Sequence, residues 1–199
     1  MIPAITSLAV QAGSWAALTR DGEVLGGVVA DTKELPKDGP VLVCHLPYVA
    51  TRMSLPNGAL DILELFAFVK PATFCVPTIG GIATALGLPM PKSVEDAAMT
   101  LPQCMQELLR SLTPDSRLSA LAKAMGQNGM GWGWTPFVVA AMGETYNLAE
   151  PVKSREALNV WYNMAEWSDE APLPPPSSRP VEGEHARDHL HDLIMRRRG

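Results

Sequence analysis

The stretch Ile5-Thr-Ser-Leu-Ala-Val10, Ser14-Trp-Ala-Ala-Leu18, Arg20-Asp-Gly-Glu23 and Val24-Leu-Gly-Gly-Val-Val-Ala30 decides the fold class of this chain. Its three apolar, partly alternating runs read as strands, and an Asp-Gly turn between two such runs is a strong hairpin signal. Val41-Leu-Val-Cys44 follows, launched by Gly39-Pro40 and ending at His45. Four consecutive apolar residues bounded by turn residues fit a buried central strand, and a short helix is expected from there to Met53.

From Leu60 onward the hydrophobic period becomes helical. Ile62, Leu65, Phe66 and Val69 fall at i, i+3, i+4 and i+7 and form one apolar stripe. Thr78 to Leu86 reads as a second helix, closed by Gly87 just beyond its end. A third apolar face runs through Val94, Ala97, Ala98, Leu101, Met105, Leu108, Leu109 and Leu112 but contains Pro102. That proline predicts a kink or a restart, with Thr100 and Gln103 as a capping box and Pro102 in the first turn, where its missing N–H costs little. Ser116 to Met125, ended by Gly126, Pro136 to Met142, and Arg155 to Trp167, burying Leu158, Trp161 and Ala165, complete the helices expected before residue 168. Strands followed by helices predict an α/β fold.

The 199 residues are 47% hydrophobic and 19% charged, which excludes a disordered, collagenous or coiled-coil chain. A formal charge of −5 makes a surface-wide polyanion trap impossible, so any nucleic-acid contact must be local. Cys44, Cys75 and Cys104 are odd in number and set among apolar residues. They read as core side chains of a reducing compartment. The first charged side chain is Arg20, and no apolar run approaches the ~20 residues of a membrane span. A soluble, cytoplasmic protein without membrane contact is expected.

Composition shifts at Ser168. Residues 168–181 form a Pro-rich linker of polyproline type, and Pro172 to Pro175 can be read as a Pro-x-x-Pro docking peptide. Residues 182–199 read as an amphipathic helix, Glu182 to Arg198, with Ala186, Leu190, Leu193 and Ile194 on one side and Arg196-Arg197-Arg198 at its end. A lone helix of this length is marginal in water and needs something to dock on.

Several groups invite a chemical reading. Gly126 to Trp134 is glycine-rich, but it lacks the Gly-Lys-Ser/Thr of a Walker A loop and reads better as a loop anchored by Trp132 and Trp134. His185 and His189, with His191, Asp188 and Asp192 nearby, have the spacing of a two-ligand metal site, but the zincin pattern is missing and a solvated polar face is the better reading. Asp61 and Glu64 share one helical turn and read as solvated carboxylates. No Ser, Cys and His group as a nucleophile motif.

One ordered set of segments resembles a family. Val41-Leu-Val-Cys-His45-Leu-Pro-Tyr-Val-Ala50, Leu60-Asp-Ile-Leu-Glu-Leu65, Thr78-Ile-Gly-Gly-Ile-Ala-Thr-Ala-Leu-Gly87 and Glu95-Asp96-Ala-Ala-Met-Thr100 are similar in order and spacing to the middle and late motifs of DnaQ-like (DEDD) exonucleases. In that family a strand ends in His-Asn-x-x-Phe-Asp, an Asp-Thr-Leu-Glu step and a small-residue helix follow, and a last helix bears His-x-x-x-x-Asp-Ala. The resemblance spans about residues 1–112 and implies an RNase H-like mixed sheet flanked by helices. It also implies four carboxylates holding two divalent metals that cleave a phosphodiester.

The substitutions within those motifs point away from cleavage. No Asp or Glu precedes Asp21, where the first strand of the family carries Asp-x-Glu. The second-motif Asp falls on Ala50, the general-base His on Pro91, and its Tyr alternative on Lys92. His45, Asp61 and Asp96 remain as relic positions. Further on, Gly131-Trp-Gly-Trp-Thr-Pro-Phe137, Leu158 to Trp167 and the Pro-rich segment resemble the region that precedes the motor in bacterial DinG/XPD-type helicases with a DnaQ-like front end.

The resemblance therefore implies a degenerate exonuclease-like domain over 1–112, a helical C-terminal extension over 113–167, a linker over 168–181 and a helix over 182–199 leading to a motor. The function implied is that of a non-catalytic N-terminal accessory domain of an ATP-dependent DNA helicase, positioning DNA or the motor. No metal or cofactor is expected in this segment; ATP and Mg²⁺ belong to the motor, its partner in cis. Weak contact with single-stranded DNA is expected at Arg52 and Lys92, with Trp132 and Trp134 as stacking candidates. The alternatives are an active 3′-to-5′ exonuclease using Asp31, Glu34 or Asp61 as unconventional ligands, and a stand-alone protein-interaction module.

Overall fold

The computed structural model describes residues 5–31, 33, 39–55, 58–127, 131–149 and 183–196. It divides into two compact units, residues 1–164 and 165–199. The expected helix over 155–167, the Pro-rich segment, Glu34, Arg197 and Arg198 lie outside the described residues.

The first unit is built on a mixed five-stranded sheet ordered β3-β2-β1-β4-β5, from β1 (Thr6–Gln11), β2 (Ser14–Leu18), β3 (Val24–Val28), β4 (Val41–Val43) and β5 (Leu60–Asp61). β1, β2 and β3 are antiparallel neighbours, whereas β4 joins β1, and β5 joins β4, in parallel. Ala12 and Gly13 turn β1 into β2 with φ of 49° and 85°, the two left-handed positions that a tight hairpin turn matched to strand twist demands. β5 was not legible as a strand. It is two residues long and runs straight into α2, so the helical period beginning at Ile62 masks it.

The sheet is covered on both faces. Leu8, Trp15, Ala17, Val41 and Val43 point to one side and pack with Val49 and Met53, at and just beyond α1 (Leu46–Ala50). The opposite face carries Ala9 and Ala16, on which Ala97 and Ala98 of α4 (Val94–Arg110) sit directly. Small side chains on both partners let α4 approach the sheet closely. α2 (Ile62–Val69), α3 (Ile79–Ala85), α5 (Ser116–Gln127) and α6 (Thr135–Ala141) complete the larger cluster around Leu42, Leu101 and Leu108.

Residue 112 is not a break in this packing. Ala122, Trp134, Val138, Val139 and Met142 belong to the same buried cluster as Leu42 and Leu65, so the expected extension from 113 supplies part of the first unit's core.

Two helix expectations are corrected. α4 is one continuous helix through Pro102, with Ser93 as its N-cap accepting from Asp96 N. No capping box forms at Thr100, whose hydroxyl donates back to the Asp96 carbonyl at 2.7 Å. Pro102 has no N–H for the Ala98 carbonyl four residues earlier, and the buried Ser7 hydroxyl on β1 fills that vacancy at 2.6 Å. α5 runs through Gly126 to Gln127. A Cβ at Gly126 would stand 2.6 Å from Tyr146 Oη and 2.7 Å from Thr135 Oγ1, so the glycine serves close packing and does not end the helix.

In the second unit, α7 (Gly183–Arg196) is a helix whose Leu190 and Met195 are 58% and 56% exposed. No helix among the described residues is long and apolar enough to cross a membrane.

Candidate functional site

The chain runs β1-β2-β3 to one side of the sheet and then places β4 on the other side of β1. Adjacent parallel strands whose onward connections diverge in this way leave a crevice at their carboxyl ends, a recurrent place for ligands. Here it is a cleft of about 540 Å³, walled by the end of β1 (Ala9 to Gln11), by Cys44, His45 and Tyr48, by Pro77 to Gly80 and by Met90 and Pro91. This volume is within the range of small-molecule sites. Its lining is mostly apolar, with Gln11, His45, Tyr48 and Thr78 as the polar side chains.

His45 sits where β4 turns into α1 and is held at φ 61°, a left-handed conformation that non-glycine residues rarely adopt. The restraint is Asp61. Its buried carboxylate accepts His45 N at 2.9 Å, Leu46 N at 2.6 Å and Leu63 N at 3.0 Å. It thereby caps α2 and secures the first amides of α1. Its own carbonyl accepts Trp134 Nε1 at 2.8 Å. Asp61 is a structural clamp, and the position proposed for it as an unconventional metal ligand is taken up by backbone amides.

The other sequence candidates separate clearly. Ser93 Oγ accepts Asp96 N and caps α4, while the Asp96 carboxylate, in the first turn, reaches back to accept Lys92 N at 3.1 Å. Asp31 uses Oδ1 to accept Lys33 N. Glu64 accepts Trp132 Nε1 at 3.2 Å; burial raises its carboxyl above the usual range, and that hydrogen bond works in the opposite direction. Asp61 and Glu64 thus bind separate donors, and the Asp61 charge adds a lesser upward push on Glu64. Among the described residues no group of three or more His, Cys, Asp or Glu is placed to hold a metal, the histidines of α7 included.

Trp134 is fully buried and belongs to the core, which removes it as a stacking platform. Trp132 is half-buried against Phe68, with ring centroids 4.8 Å apart. The glycine-rich segment is thus anchored by both indoles. Arg52 and Lys92 are exposed and do not line the cleft, although Lys92 directly follows Pro91 of its wall. The Arg52 guanidinium lies 3.8 Å over the Tyr48 ring, itself part of the cleft wall. Tyr48 was missed in the sequence, where only its spacing, three after His45 and four before Arg52, hinted at a shared helical face.

The three cysteines, distant in sequence, share one apolar cluster, and Cys44 also lines the cleft. Burial pushes the Cys44 thiol up to about 12, with Asp61, Cys104 and Cys75 adding to the effect. Burial likewise raises Cys104 to about 11 and raises Cys75. Thiolates are the reactive form, so iodoacetamide at mildly alkaline pH is expected to modify the half-exposed Cys75 alone in the folded chain, and all three thiols after denaturation. Peptide mapping that finds Cys44 alkylated as fast as Cys75 would contradict this burial.

No family model, no curated protein and no solved structure matches this chain.

Proposed function

We propose that the chain is a non-catalytic RNase H-like domain, the N-terminal accessory region of a cytoplasmic ATP-dependent DNA helicase, positioning DNA or the motor. The observation that carries this reading is the lining of the cleft. The mixed sheet, with a hairpin on one side of β1 and parallel strands on the other, suits an RNase H-like fold, and in DnaQ-like exonucleases β1 and the last helix of that fold bring carboxylates together. Here β1 contributes Leu8, Ala9, Val10 and Gln11 to the cleft, and the later motif contributes Pro91 and Ala97. Asp61 and Asp96, the acids retained in sequence, bind backbone amides. Two metal ions about 4 Å apart require several converging anionic ligands.

A second reading, a protein-interaction module, is favoured by the segment leading into the cleft wall. Phe74, Val76 and Met90 are 87%, 52% and 69% exposed, more apolar surface than isolated exposed side chains would account for.

Labelled single-stranded DNA tests the first reading. No 3′-to-5′ shortening is expected with Mg²⁺ or Mn²⁺, and shortening abolished by Asp96→Ala would overturn the proposal. Binding should be weak and carried by Arg52 and Lys92. Two phosphate contacts give a salt slope of roughly −1.4, so a fourfold rise in salt weakens binding by about sevenfold. Affinity unchanged by Arg52→Ala with Lys92→Ala would remove this surface, and absence of binding at low salt would favour the interaction module.

A further inference from the structure

β3 is the outer strand of the sheet, and its hydrogen-bonding parity can be worked out. Thr19 N donates to Glu23 O at 2.8 Å and Val29 N to Gly13 O at 2.9 Å, in the register that opposes Ser14 to Val28. Antiparallel pairs alternate, so Leu25 and Gly27 bond to β2 while the N–H and C=O groups of Val24, Gly26 and Val28 point away from the sheet. The Val28 carbonyl is already occupied by Trp15 Nε1 at 3.1 Å and Asp31 N at 2.9 Å. Trp15 Nε1 also donates to the Asp31 carbonyl at 3.0 Å, which draws the chain after β3 over the Trp15 side chain and off the strand edge.

Among the described residues this leaves an unpaired edge with none of the usual protection. β3 reads Val-Leu-Gly-Gly-Val, without charge or proline, and Val24 and Val28 are 41% and 57% exposed. Open edges of this kind template pairing with another strand.

We propose that β3 pairs antiparallel with β3 of a second copy of this chain, across a two-fold axis at Gly26. The edge is self-complementary about that residue. Opposed Gly26 residues exchange N–H and C=O, and Val28 N–H of each copy meets the free Val24 carbonyl of the other. The occupied Val28 carbonyl is not called on as an acceptor. Val24 and Val28 then stand opposite each other twice on the α4 side of a continuous ten-stranded sheet, as cross-strand apolar pairs. A two-fold contact between identical patches closes on itself and does not propagate into a fibre.

Two features set its strength. Five-residue strands bury an area below the roughly 1,000 Å² of stable interfaces, so the dimer is concentration-dependent. Each chain carries −5, so two copies repel. Salt therefore strengthens the association by screening.

Sedimentation of the full chain from micromolar to millimolar concentration tests the proposal, with salt raised from about 0.1 M to about 1 M to shorten the screening length from about 10 to about 3 Å. The expected result is a mass rising from one chain toward two, further at high salt. Hydrogen exchange should show the amides of Gly26 and Val28 gaining protection with concentration, while those of Leu25 and Gly27 are protected throughout and that of Val24, which meets an occupied carbonyl, does not change. Val28→Lys and Gly26→Pro should both stay monomeric; the proline removes an N–H that faces outward, though its Cβ comes within 3.3 Å of the Trp15 carbonyl oxygen. Val28→Lys replaces an exposed side chain, and unchanged tryptophan fluorescence confirms that its sheet is intact. A wild-type chain that stays monomeric at millimolar concentration in high salt overturns the proposal, as does a dimer that survives both substitutions.

Discussion

Asp61→Ala is expected to destabilise the first unit by about 3 kcal/mol or more, read as a lowered denaturant midpoint at constant slope. The carboxylate is 6% exposed and accepts three backbone N–H groups from two segments. Its removal strands those donors, each at a cost of about 1–3 kcal/mol, partly recovered by entering water. It also releases the turn at His45, where the left-handed backbone is held by the amides on either side of its carbonyl. Asp61→Asn should fall between the two, since it keeps the shape and one acceptor but turns an NH₂ toward amide donors. A loss below about 1 kcal/mol for Asp61→Ala would mean that water replaces the carboxylate at no great cost, and the structural role assigned to it would fail.

Ser7→Ala is expected to cost about 2 kcal/mol, because it leaves the Ala98 carbonyl beneath α4 without the hydroxyl that replaces the N–H missing from Pro102. The diagnostic result comes from Pro102→Ala. An alanine restores the helical N–H, so the same Ser7→Ala change should cost at least about 1 kcal/mol less in that background, a coupling that double-mutant comparison measures directly. Equal losses in both backgrounds would show that serine and proline act independently and that the continuity of α4 has another cause.

The connection between Ser7 and Pro102 illustrates how far the sequence could be followed. The apolar period from Val94 to Leu112 was visible, and so was the proline within it, but a proline inside a helix is resolved by whatever can reach the stranded carbonyl. That partner lies 91 residues before it. Gly126 is similar. Near the end of a periodic segment a glycine usually stops a helix, and only the proximity of Tyr146 and Thr135 shows that this one is there for space.

The candidate site was partly legible in the same way. The sequence singles out His45, Arg52, Lys92 and Pro91, and the structure brings His45 and Pro91 to one cleft, with Arg52 over the Tyr48 ring of its wall and Lys92 next in sequence to Pro91. Asp61 and Asp96 were also singled out, but a carboxylate's role depends on which donors surround it, and neither sequence neighbours nor spacing state that backbone amides take both. Trp132 and Trp134, adjacent in type and position, part company for a tertiary reason: the indole of Trp134 is enclosed by the core with its N–H on the Asp61 carbonyl, and that of Trp132 stays half outside on Phe68.

The sequence by itself determined the elements whose signals are local. Alternation and an Asp-Gly turn specify the β2–β3 hairpin, Thr78 starts its helix, Gly87 ends it, and the apolar stripes show which helical faces turn inward. These depend on backbone geometry within a few residues, which composition and period encode directly. Tertiary structure alone decided that β4 crosses to the far side of β1, that three scattered cysteines share one core, that β5 exists at all, and that among the described residues nothing pairs with the outward edge of β3. Each of those depends on which segments meet after the chain has closed long loops. The free energy of such a meeting belongs to surfaces far apart in sequence, where no local pattern records it.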